Sequence, residues 1–224
     1  MFITTPLPFV KAFVDELNNI LEKDRLGQGL SRRQRGWLAC CLTGILVTHS
    51  VCWAKFERAS LGTYALAAFS WRFRKAKIPW AYLLQTSVTG VLRQYAITQG
   101  SLVVDDSDKK CCQVTKRVFK AHKLKDKTSG GYINGHTLVL LLLVTPKVTM
   151  PVGVAFYLPD PTLTAWKKAD EQLKKQGVPP QNRPAKLARN PAYPTKHEIA
   201  LHLLEECRHE PRTIEVKMVL AEAL

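Results

Sequence analysis

Apolar positions change their rhythm partway along the chain. Over the first hundred residues they recur every three or four positions, the signature of helices with one buried face. Phe9, Phe13, Leu17 and Ile20 trace such a face and predict a helix over Pro8 to Lys23, widened by Val10, Val14 and Leu21. Ser31 is placed to cap the next segment, RRQRGWLACCLTGILVTHS. Pro79 opens a further helix over Trp80 to Ile97, with Leu83, Val88, Leu92 and Tyr95 available for packing. These segments predict an all-helical domain over residues 1–98.

From Gly100 onward the pattern is that of strands. SLVV at Ser101 is a short apolar run that enters the acidic stretch DDSDKK. YINGHTLVLLLLVTP and MPVGVAFYLPD read as two more strands. A buried helix is the alternative for NGHTLVLLLLV, but its length and its bounding residues favour a strand. TAWKKADEQLKKQGV is amphipathic and ends at Gly177, and a proline-rich irregular stretch follows. Thr195 caps a helix over Lys196 to Arg208, with Ile199, Leu203 and Leu204 turned inward. A final strand is expected over Glu215 to Leu220. HKLKDKTSGG reads as a charged loop. The order strand, strand, strand, helices, strand predicts an α+β or α/β domain over residues 99–224, with an antiparallel start.

Charge adds a partner class to this outline. The 224 residues carry 33 Lys and Arg against 18 Asp and Glu, a net charge of +15. Residues 1–98 hold 13 basic against 5 acidic side chains, and residues 101–135 hold 8 against 4. Such an excess favours an acidic partner, nucleic acid above all, although a solvated basic surface gives the same count. At 46% hydrophobic residues the chain is not of disordered composition. The six cysteines include two adjacent pairs, Cys40–Cys41 and Cys111–Cys112, and no CxxC spacing, which argues for a reducing compartment. MFITTPLPFV lacks the features of a secretory signal, and the longest apolar run, LVLLLLV, is too short to span a bilayer. The expectation is a soluble, cytoplasmic protein with no membrane association.

Two basic clusters stand out. Arg32, Arg33 and Arg35 sit where a helix should begin, against its dipole, so an external anion is a reasonable partner. In SWRFRKAKIPW, Arg72, Arg74, Lys75 and Lys77 interleave with Trp71 and Phe73. Basic groups meet phosphates and aromatic rings stack on bases, whereas the bland account makes the rings core and the cations solvated. Among the acids, Asp105 is the first residue after SLVV, and Glu222 follows VKMVLA in the same way. Carboxylates at the ends of neighbouring strands can converge on a hard divalent ion, although acids after strands are also common in turns, the reading given to Asp108. His122 and His136 have an approach to a phosphate as one reading and a structural or solvated role as the favoured one, and His197, His202 and His209 have no metal-motif spacing. A soft-metal role for Cys111 and Cys112 lacks a third ligand.

LVVDDSDKK, GGYINGHTLVLLLLVT, VTMPVGVAFYLPD and IEVKMVLAEAL together resemble the start of the ribonuclease-H-like catalytic domain of insertion-sequence transposases of the DDE class. ERASLGTYALAAFSWRFRKAKI is similar to the N-terminal segment of that family. The resemblance implies an incomplete ribonuclease-H-like mixed sheet behind a DNA-binding helical domain. It implies two aspartates and a glutamate that hold Mg²⁺ or Mn²⁺, the first at Asp105, with Asp106 as second choice. Lys109 and Lys110 fall in the family's basic stretch after that acid. The second family aspartate falls on Glu222. Glutamate extends the carboxylate by a methylene, about 1.5 Å, and a misplacement of that order costs roughly 10²-fold. The third acid would lie beyond Leu224. In the family, water cleaves the transposon-end phosphodiester and the freed 3′-hydroxyl attacks target DNA. The implied partners are double-stranded DNA at transposon ends and a second copy or a full-length transposase. The chain itself is expected to be the N-terminal portion of a truncated copy, inactive alone. A non-catalytic DNA-binding regulator and an inert remnant are the rivals, and a self-contained metal nuclease using Asp160 or Glu198 is a remoter one.

Overall fold

The computed structural model describes residues 5–24, 29–111, 119–126, 129–209 and 214–221. The chain divides into two compact units, Met1–Ala96 and Ile97–Leu224. Helices and a mixed sheet make it an α+β protein.

The first unit contains α1 (Pro8–Asp24), α2 (Arg32–Thr48), α3 (Trp53–Ala59), α4 (Leu66–Lys75) and α5 (Trp80–Gln94). Ser31 starts α2 with a reciprocal cap. Its hydroxyl accepts the Gln34 N–H at 3.3 Å, and the Gln34 side chain accepts the Ser31 N–H at 2.8 Å. The face that α1 buries is Val10, Val14, Leu17 and Leu21, packed with Leu30, Leu38, Ala39, Ile78 and Leu83. Phe9 and Phe13 remain 64% and 50% exposed, so the helix is rotated by one residue from the sequence expectation. Two apolar stripes lie about 100° apart on this helix, and packing against α2 and α5 selects the aliphatic one. Asn18 is buried beside that face and satisfied, accepting the Leu30 N–H at 2.6 Å and donating to Glu22 at 2.9 Å. A second cluster joins Cys41, Phe56 and Phe69, with Trp37, Trp53 and Tyr64 against it. α5 stops at Gln94, with Ala96 in the left-handed region at φ 47°. Gly100, from which the sequence pattern becomes that of strands, lies inside the first strand, Gln99–Lys110.

The second unit is built on β1 (Gln99–Lys110), β2 (His122–Lys125), β3 (Tyr132–Val144), β4 (Thr149–Tyr157), α6 (Pro161–Lys175), α7 (Lys196–His209) and β5 (Glu215–Ala221). β3 is central. β1 runs antiparallel along one edge, from Ser101 opposite Val144 to Lys110 opposite Gly135. The other edge of β3 takes β2 at residues 132–135 and β4 at residues 137–144, both antiparallel. β5 then pairs with the free edge of β1 in parallel. α6 is capped by Asp160, which accepts from Thr162 and Leu163, and is terminated by Gly177 at φ 76°.

The two faces of the sheet differ. Leu102 and Val104 of β1, Val139, Leu141 and Leu143 of β3, and Val152 of β4 are buried under Ile199, Ala200 and Leu203 of α7. Strand alternation sends Val103 and Asp105, with Leu138, Leu140 and Leu142 of β3, to the opposite face. Val103, Leu138, Leu140 and Leu142 are half-buried there. No single described helix is long and apolar enough to cross a membrane.

Candidate functional site

The acidic stretch is strand, not a turn after a strand. β1 continues through Asp105, Asp106 and Asp108 to Lys110, because β3 offers hydrogen-bonding partners along its whole length. The ladder overrides the poor strand propensity of Asp and Lys. This corrects the reading of Asp108 as a turn residue: it lies opposite Thr137. HKLKDKTSGG is corrected likewise, since its first half is β2.

Alternation gives the three acids different neighbours. Asp106 lies on the α7 face and forms an ion pair with Lys196 in the first turn of that helix. Asp108 accepts the Thr137 hydroxyl at 2.6 Å. Asp105 is half-buried on the other face, opposite Leu140, and its carboxylate accepts the Asp106 N–H at 2.7 Å. Among the described residues no cation lies within ion-pair distance of it. Of the three carboxylates, Asp106 alone is held by a cation among the described residues, and Asp105 and Asp108 each accept one hydrogen bond.

Glu222 lies outside the described residues. Ala221, the last described residue of β5, sits opposite Val104 in the parallel register. Asp105 and Glu222 are the next residues of their respective segments. The described residues contain no group of three His, Cys, Asp or Glu side chains able to hold a metal ion. Asp160 caps α6. Glu198 is engaged by the Thr195 cap and by Arg189. These described residues do not by themselves fit a divalent cation.

Beside the far end of β1, Cys111 and His136 are paired, with Sγ 3.2 Å from Nδ1. His136 Nε2 lies 2.7 Å from the Phe119 carbonyl, which only accepts. In the neutral ring the proton is therefore on Nε2, and Nδ1 accepts from the thiol. Cys112 lies outside the described residues. His122 bridges the Lys120 carbonyl at 3.1 Å and the Thr137 hydroxyl at 3.3 Å. Lys109 and Lys110 are exposed at the end of β1.

In the helical unit the predicted cations separate by role. Arg35 is tied to Asp15 of α1 at 2.9 Å and so joins two helices. Arg32 and Arg33 are exposed in the first turn of α2. In α4, Arg74 donates to the Ser70 carbonyl at 3.3 Å, Lys75 is exposed, and the Arg72 guanidinium lies 5.8 Å from the centre of the Trp71 ring. Lys77 holds a left-handed turn at φ 45°. Arg33 and Arg72 meet at one groove of about 440 Å³, whose walls include Trp37, Tyr64 and Trp71. The sequence reading missed Trp37 and Tyr64 there. The available signal was the helical spacing of Arg33, Trp37 and Cys40 on α2. It also missed Lys196, which no local pattern ties to Asp106. Comparison with protein-family models, curated proteins and solved structures finds no match to this chain.

Proposed function

We propose that this chain is a DNA-handling protein of the DDE-transposase type. In this reading the helical unit is the DNA-binding part, and the sheet unit belongs to a ribonuclease-H-like scaffold. One observation carries the reading. β1, β3 and β4 run antiparallel in turn, two helices follow, and β5 returns parallel to β1 in a register that sets Val104 opposite Ala221. Asp105 follows Val104 in the sequence and Glu222 follows Ala221, and the family resemblance assigns a carboxylate to each of those two positions.

The charge distribution supports the partner. Basic side chains exceed acidic ones in both units, and Arg32, Arg33, Lys75, Lys109 and Lys110 are exposed. Glutamate in place of aspartate at position 222 favours a role without strand cleavage: the chain occupies DNA ends rather than cutting them. The test is binding of the purified chain to duplex DNA, with and without a candidate end sequence, at two salt concentrations. A steep loss of affinity with salt and a preference for the end sequence are expected. Cleavage assays with Mg²⁺ or Mn²⁺ accompany it. Absence of duplex binding overturns the reading. Strand cleavage that disappears in Asp105→Ala overturns the non-catalytic part.

A further inference from the structure

α2 carries two glycines in different surroundings. A Cβ on Gly44 would lie 2.7 Å from the Phe56 ring, so glycine is needed there for α2 and α3 to approach. A Cβ on Gly36 would meet nothing within 4 Å. Gly36 therefore serves no close contact, although glycine inside a helix is disfavoured. It lines the groove between α2 and α4.

The rest of the groove is aromatic and cationic. Trp37 and Cys40 continue the α2 wall, Phe69 and Trp71 come from α4, and Arg33 and Arg72 stand among them. Its lining contains no acidic side chain. Among the described residues neither arginine has an ion-pair partner. Trp71 is 54% exposed, with the Arg72 guanidinium 5.8 Å from its ring centre, so a ring and a cation stand together at the mouth. The volume, about 440 Å³, lies within the ~300–1,000 Å³ of small-ligand sites.

We propose that this groove takes one unstacked nucleobase of DNA together with its phosphate. This rests on the DNA-handling reading above and specifies how the helical unit would grip an opened strand. The base stacks against Trp71 over the open backbone of Gly36, while Arg33 and Arg72 hold the adjoining phosphates. A flat ring and an anion in one ligand match a slot with aromatic walls and two unpaired guanidinium groups.

The test compares binding of the full chain to an oligothymidine and to an abasic oligomer of equal length, which carries the same phosphates without bases. Duplex DNA is titrated in parallel. The base-bearing strand should bind about tenfold more tightly than the abasic one. Gly36→Leu, which fills the slot at a position with room for a side chain, should erase that preference by bringing the affinity for the base-bearing strand down to that for the abasic one. Trp71→Ala should do the same. Equal affinity for the two strands overturns the groove proposal, and if duplex DNA still binds, the DNA-handling reading survives. A preference that persists in Gly36→Leu also overturns it. Failure of every DNA to bind defeats both.

Discussion

Asp106 is held by Lys196, ninety residues further along the chain, while its neighbour Asp105 faces the other side of the sheet. The ion pair fastens the start of α7 to β1, and both side chains are about one-quarter exposed. Asp106→Asn and Lys196→Met should each lower stability, with a coupling of about 1 kcal/mol in a double-mutant cycle. Asp105→Asn should stay within about 0.5 kcal/mol of the parent, since no cation is lost. Urea unfolding of the four variants measures this. A larger loss for Asp105→Asn than for Asp106→Asn would contradict the assignment of faces.

The two glycines of α2 should respond with opposite sign. Gly36→Ala has open space above it and should stabilise the helical unit by roughly 0.5–1 kcal/mol. Gly44→Ala drives a methyl into the Phe56 ring, which is itself 1% exposed, and should cost roughly 1–3 kcal/mol. Thermal melts distinguish the two.

The helical unit should weaken in alkali. Burial pushes the Cys40 and Cys41 thiols above their ordinary value near 9, and burial together with the Cys40 hydrogen bond pushes Tyr64 up to about 12. All three groups keep their protons longer when folded than when unfolded. Above the unfolded values the unfolded chain binds fewer protons, so stability falls as pH rises. The loss should begin near pH 9 with the thiols and continue from about 10 to about 12 with Tyr64. Denaturant midpoints across that range report it, and Tyr64→Phe should flatten the upper part.

Cysteine alkylation should be selective. Cys52 is exposed at the start of α3. Its side chain makes no cap hydrogen bond, yet the Lys55 and Ala54 amides favour its thiolate and hold the thiol below its ordinary value. Of the described cysteines, Cys52 should react with iodoacetamide before Cys40 and Cys41, as read by peptide mass spectrometry at partial modification. Faster labelling of Cys41 would show that the α2–α3 core opens readily.

The signals that proved legible were local ones. Ser31 announces the start of α2, whereas Asp160 before Pro161 caps α6 where the sequence pattern suggests a candidate metal ligand and a helix begun at Thr164. β3 is readable from its run of Leu and Val bounded by Gly and Pro. What the sequence could not disclose depends on partners far away. Phe9 and Val10 lie on adjacent stripes of one helix, and only the packing of α2 and α5 decides between them. Asp108 is a poor strand former that becomes strand because Thr137 lies opposite. The groove brings together Arg33 of α2 and Arg72 of α4, thirty-nine positions apart by their numbering.

The parallel pairing of β5 with β1 also sets an order of events during synthesis. β3 can zip onto β1, and β4 onto the other edge of β3, while the chain is still emerging, since these strands follow closely. β5 cannot join until everything between Lys110 and Glu215 has been made, and loop closure over that distance is slow. Through that interval the open edge of β1, with Leu102, Val103 and Val104, is available to other nascent chains. Chaperone demand and inclusion-body formation should therefore track the residues of β5, which on the finished protein look like the least important strand of the sheet.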